Sequence, residues 1–218
     1  MNHGTRYDCT PNELRDATTP SDQPRRTHVS ADRASQVVFL HNQPGRNLSD
    51  REYDAMLRLE DLILGVFSGR KQWTPDIIIK VFCDLDRVFF LGNLRGHVYV
   101  KFKSGDAFPP ARRDHCHFGR TIPLGGGKAK IHLNADALFG PYEGPSFKEM
   151  FRIVLHEMCH AYERTQVASQ NREMNHHGLH FGTKIMAVHA RARSDLQIGA
   201  VDRGHHFDGY TWDRRSRR

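Results

Sequence analysis

The sequence predicts an α+β fold in which helices pack on a small, mainly antiparallel three-stranded sheet. Apolar residues recur at helical spacing in four stretches, around 53–67, 78–89, 150–161 and 181–193. Between the second and third of these, the period switches to strict alternation, as in His97-Val98-Tyr99-Val100-Lys101-Phe102. With 218 residues and 38% hydrophobic content, the chain can bury one moderate core and keep long ends outside it.

Residues 1–35 are polar, carry Pro11, Pro20 and Pro24, and show no hydrophobic period, so a disordered tail is expected there. The folded domain is expected over 36–200, followed by a basic flexible tail over 201–218. Val37-Val38-Phe39-Leu40 reads as a short edge strand or anchoring segment, ended by Pro44-Gly45. Ser49-Asp50-Arg51-Glu52 is a capping-box pattern that starts a helix with Tyr53, Met56, Leu57, Ile63, Leu64 and Phe67 on one face. That helix stops near Gly69. A second helix starts with Thr74 as N-cap and Pro75 at its first position. It runs to about Phe89 and turns Ile78, Val81, Phe82, Leu85 and Phe89 to the core.

The alternating region follows. His97 to Phe102 is a half-buried strand, and His115 to Thr121 returns as a second. Gly125-Gly126-Gly127 turns into a third, Lys128-Ala129-Lys130-Ile131-His132-Leu133. No helix N-terminus follows those glycines, so they make a turn and not a phosphate loop. Asn134 to Pro145 links this strand to the next helix. Cys9, Cys83, Cys116 and Cys159 lie far apart with no C-x-x-C pair, against a disulfide framework or a zinc ribbon. Asp114-His115-Cys116-His117 lacks a partner pair at zinc-like spacing and is set aside as a second metal site.

The chemistry sits in His156-Glu157-Met158-Cys159-His160. Ser146 to Glu149 is a second capping-box pattern, and Met150, Phe151, Val154, Met158 and Ala161 follow at helical spacing. Residues four apart project from one helix face, so His156 and His160 can grip one Zn²⁺ while Glu157 stands beside it as a base. Arg152, Ile153 and Leu155 leave no strongly charged outward face, so the helix is expected to be covered on most sides. The third ligand must come from beyond, with Glu173, His176, His177 and His180 as candidates. Cys159 faces away from the ligand stripe and reads as filler, and Tyr162 reads as packing. A final helix with Phe181, Ile185, Met186 and His189 in the core runs to about Arg193.

His156-Glu157-Met158-Cys159-His160-Ala161-Tyr162, a polar loop, then His177-Gly178-Leu179-His180-Phe181 resembles the SprT-like (Spartan-type) metalloproteases. The family pattern is H-E-x-x-H-A, a variable loop, then H-G-x-x-F, and the resemblance extends over about residues 48–192. It implies a zincin-like minimal metalloprotease with one Zn²⁺ held by His156, His160 and His177. Glu157 is then the general base that activates the metal's water to cleave a peptide bond. It also implies protein substrates associated with or crosslinked to DNA. In such enzymes a strand just upstream of the metal helix borders the substrate cleft. Lys128 to Leu133 is the expected strand, holding an extended peptide by backbone pairing. Many relatives carry a Cys₄ zinc ribbon after the protease core, and no C-x-x-C follows His177 here.

Charge points the same way. The chain's net +7 is concentrated in residues 95–130, with eight basic against two acidic residues, and in the tail. Lys101, Lys103, Arg112 and Arg113 are the expected phosphate contacts. No apolar run approaches a membrane span and no signal-peptide core is evident, so an intracellular monomer is expected. The Arg214-Arg215-Ser216-Arg217-Arg218 cluster adds a nuclear address signal. The competing class is a non-catalytic DNA- or protein-binding module stapled by zinc. Glu157 argues against it, because a structural site has no use for a carboxylate beside an open coordination position. A zinc hydrolase acting on a non-peptide substrate is a third reading.

Overall fold

The apolar stripes form six α-helices, and the alternating region three strands, in a computed structural model describing residues 28–71, 76–109, 117–139, 147–172, 175 and 177–198. In chain order these are α1 (Ala31–His41), α2 (Asp50–Phe67), α3 (Asp76–Phe90), β1 (Val98–Lys103), β2 (Gly119–Gly125), β3 (Lys128–Asn134), α4 (Ala135–Phe139), α5 (Phe147–Gln166) and α6 (Leu179–Leu196). Thr74, Pro75, Arg112, Arg113, His115, Ser146, Glu173, His176 and both predicted tails from 1–27 and 201–218 lie outside the described residues. No helix among the described residues is long and apolar enough to cross a membrane.

The coarse class is α+β, but the sheet is mixed. Its order is β1-β3-β2, with β2 antiparallel and β1 parallel to the central β3. Gly125, Gly126 and Gly127 all have positive φ, which closes the β2–β3 hairpin as predicted. β1 is the surprise: it docks on the far edge of β3 and runs parallel to it. The excursion through residues 104–127 is long enough for such a crossover. β2 covers Gly119–Gly125, displaced from the predicted His115 to Thr121.

β3 is central because it carries small and branched apolar side chains on one face. Ala129, Ile131 and Leu133 are fully buried, level with Val98 and Val100 of β1. Helix α5 lies across this face against β2 and β3, and α3 and α6 pack on α5. α3 presents Ile78, Val81, Phe82, Leu85 and Phe89 to the core, as its period predicts, and each is fully buried. Such side chains stabilise by roughly 1.5–3 kcal/mol apiece.

Other expectations are corrected. Val37 to Leu40 lies inside α1, which starts at Ala31 with Ser30 accepting from the Arg33 amide. Residues 31–35, assigned to the tail by composition, are therefore helical, and Val29 pairs with Val167 ahead of them. On α2, Met56 and Ile63 are buried, but Tyr53, Leu57, Leu64 and Phe67 are exposed. The buried face is Ala55, Met56, Leu59, Leu62 and Ile63, packed on α3. Apolar residues surround this helix, so periodicity alone offers two faces. Met186 of α6 is likewise exposed, while Phe181, Ile185 and His189 are buried. The linker after β3 includes the short α4.

Glu52 departs from its expected capping role. Ser49 Oγ does accept from the Glu52 amide, but the Glu52 carboxylate turns inward to pair with Arg46 and Arg191. His41 lies 3.6 Å from it, with Nε2 against the Val88 carbonyl. Burial, then the Arg46 charge, push the His41 pKa down to about 4. Burial raises Glu52, but hydrogen bonds from Arg46 and Arg191 outweigh it and leave the carboxyl below its usual range. His41 is thus neutral when folded and takes up a proton near pH 6.5 when unfolded. Between those values the unfolded state binds more protons, so stability should fall on acidification from pH 6.5 towards 4. The loss amounts to about 3 kcal/mol at most. Melting temperature measured across this window should show that slope, and His41→Gln should reduce it, leaving the part contributed by His132 and His156.

Candidate metal centre

α5 is buried over nearly its whole length. Met150, Phe151, Val154, Leu155, Met158, Cys159 and Ala161 are fully covered, and Arg152 is 4% exposed. Between its first turn and Arg164 the only residue of this helix that reaches partial exposure is His160, one turn after the buried His156. The predicted covering of Arg152, Ile153 and Leu155 is observed.

Spacing of four along α5 places the His156 and His160 Nε2 atoms 3.1 Å apart. His177 closes the triangle from the turn before α6, at 3.1 Å from His160 Nε2 and 3.4 Å from His156 Nε2. Asn175 shapes that turn: its Oδ1 accepts from the His177 amide and its carbonyl from the Gly178 amide. Three Nε2 atoms aimed at one point cannot each satisfy the others, since every close pair needs one proton and one lone pair. A shared cation removes the conflict, and these three residues form a group that could hold a metal ion. His180 is outside it, with Nδ1 3.3 Å from Ser35 Oγ.

The environment keeps the ring nitrogens available. Burial, then His160 and His177, hold the His156 pKa well below its ordinary value, so the imidazole is neutral, the form that binds metal. Phe181 supports all three rings, stacking on His160 at 4.3 Å and meeting His156 and His177 edge-on at 5.0 and 4.9 Å. A buried Lys184–Glu163 contact of 3.4 Å ties α6 to α5, fixing the two histidine-bearing segments relative to each other. Cys159 is fully buried, which pushes its thiol pKa up and leaves it inert, and Tyr162 packs against Phe90. Both are filler, as expected.

Glu157 is 7% exposed, and burial raises its pKa to about 7 against an opposing hydrogen bond from Thr121. Thr121 Oγ1 lies 2.7 Å from Glu157 Oε2 and 3.0 Å from the Glu157 carbonyl, and can donate to either. Gly119, two residues earlier on β2, also lies against this side chain. Sequence reasoning missed both residues. They stand 36 and 38 positions before Glu157, and no local pattern marks them.

Sequence reasoning also assigned the cleft-bordering strand to Lys128 to Leu133. That strand is β3, and both its edges are already paired. The strand beside Glu157 is β2, whose outer edge has no strand partner among the described residues. Lys101 and Lys103 are exposed on the sheet face turned away from the helices. Lys101 is level with His132 and Arg120, and Tyr99 with Lys130, so the same face gathers cations from all three strands. Burial, then Lys130, Lys103, Lys101 and Arg120, lower the His132 pKa. No acidic residue occurs in any of the three strands. Arg112 and Arg113 are outside the described residues. The chain matches no protein-family model, no curated protein and no solved structure.

Proposed function

We propose that this protein is a zinc-dependent endopeptidase of the SprT-like kind, acting on proteins associated with or crosslinked to DNA. The observation that carries the reading is the convergence of three imidazole Nε2 atoms beside a buried carboxylate. An ideal tetrahedron with Zn–N of about 2.0–2.1 Å puts its nitrogen ligands about 3.3–3.4 Å apart. The distances of 3.1, 3.1 and 3.4 Å fit that ion closely. Three neutral nitrogen ligands also leave a fourth position for solvent or substrate, the arrangement of catalytic rather than structural sites.

Zn²⁺ bound there supplies a Lewis acid that makes water nucleophilic near neutral pH and polarises a carbonyl. Glu157 takes the proton from the attacking water and delivers it to the leaving amine. His156, His160 and His177 would hold the ion through their Nε2 atoms, and Phe181 packs against all three rings. The open edge of β2 offers backbone donors and acceptors next to Glu157, so an extended peptide can add as a strand. Recognition through backbone favours broad side-chain tolerance.

The basic outer face of the sheet supports the DNA part of the reading. It pairs clustered cations with an aromatic ring, Tyr99, over which Lys101 sits at 5.3 Å. Replacing Lys101, Lys103 and Lys130 together by Gln should weaken DNA binding and reduce the slope of log affinity against log salt by about two to three. A salt titration of DNA affinity checks this.

The deciding experiment incubates purified protein with a DNA-bound protein substrate, with and without DNA and with and without chelator. Chelator-sensitive fragmentation stimulated by DNA supports the proposal. DNA binding without any cleavage selects the zinc-stapled module instead.

A further inference from the structure

We propose that β2 positions the general base: Thr121 anchors one carboxylate oxygen of Glu157, and Gly119 leaves the space in which that carboxylate lies. The inference rests on the protease reading and adds to it two residues outside the three-histidine group.

Gly119 and Thr121 are two apart on one strand, so they share its helix-facing side, opposite Leu133 and Ile131 of β3. The Thr121 hydroxyl reaches both the backbone and the side chain of the same residue, at 3.0 and 2.7 Å. The single hydroxyl proton goes to the nearer acceptor, the carboxylate oxygen at 2.7 Å, and favours one side-chain conformation of Glu157. Gly119 acts by absence. A Cβ there would sit 2.8 Å from Glu157 Cγ, 2.9 Å from Oε1 and 3.0 Å from Cδ. The first two are closer than a Cβ approaches other atoms and the third is tight, and Glu157 is buried, so the carboxylate would have to shift from its place. The backbone of Gly119 is not in the left-handed region that needs glycine. Space alone therefore sets the residue. One oxygen is tethered by Thr121 while the other lies over Gly119, and the carboxylate is held on both sides by the strand whose free edge borders the site.

Thr121→Val keeps the shape and removes the donor, Thr121→Ser keeps the donor, and Gly119→Ala fills the gap. Each variant is assayed for peptide hydrolysis and for zinc per chain, and the structures of the Val and Ala variants are determined by crystallography. Thr121→Val should lower kcat roughly 10- to 100-fold with KM within about twofold and zinc still stoichiometric. Thr121→Ser should restore kcat to near the wild-type value. Gly119→Ala should lower kcat at least as far as Thr121→Val, and the crystal structures should show the Glu157 carboxylate displaced. Unchanged kcat in Thr121→Val, a loss confined to KM, or an unmoved carboxylate in both variants overturns the proposal. Wild-type protein that loads zinc yet hydrolyses nothing removes the protease reading, and the carboxylate positions still decide whether β2 holds Glu157.

Discussion

Glu157→Gln should leave zinc binding intact and lower the turnover of a peptide substrate by about 10²–10⁴-fold. The amide has the shape of the carboxylate and still accepts from Thr121 through its oxygen, so neither the burial of the side chain nor the packing of α5 need change. It has no basic lone pair of use to water, however, and proton transfer is lost with the geometry kept. None of the three imidazoles is touched, so elemental analysis should still find one zinc per chain. Steady-state kinetics beside that metal assay separates the two effects. Near-normal hydrolysis by the Gln variant would remove Glu157 from the mechanism. Loss of zinc with loss of rate would make it structural.

The second large effect is expected at His177. Its replacement by Ala takes away one of the three proposed ligands, the one supplied from outside α5. Outer partners of metal ligands cost 10–100-fold in affinity or activity when removed, and loss of a ligand itself should exceed about 100-fold in zinc affinity. Competition against a chromophoric chelator measures it. His180→Ala provides the contrast. His180 is three residues away in sequence but approaches Ser35 on α1, so zinc affinity should remain within about tenfold of the unsubstituted protein. An emptied site in His180→Ala with a filled one in His177→Ala would reverse the ligand assignment.

How far these features were legible depends on the range of the interaction that sets each one. The α5 histidine pair was legible because i and i+4 are neighbours on any helix, and the burial of Met150, Phe151 and Val154 follows from the same period. His177 needed more. Spacing left it among four candidates, and resemblance to a motif chose it. The three nitrogen distances then set it apart from His180, while Glu173 and His176 lie outside the described residues. The α2 face misled because Tyr53, Leu57, Leu64 and Phe67 make as regular a stripe as the buried one. Only the docking of α3 selects between them. Val37 to Leu40 misled for another reason. Branched and aromatic side chains favour strands locally, but Ser30 caps a helix over them and α6 packs against it.

By itself, the sequence determined helices α2, α3, α5 and α6, the β2–β3 turn and the histidine–glutamate pattern on α5, because each depends on contacts within a few residues along the chain. Tertiary structure decided the rest. It made β3 central and β1 parallel, and so left β2 with the free edge beside Glu157. It drew Glu52 from its cap to Arg191, 139 residues away, and set Thr121 and Gly119 against the carboxylate. These are pairings between distant segments, fixed by which surfaces bury each other, and no local period encodes them.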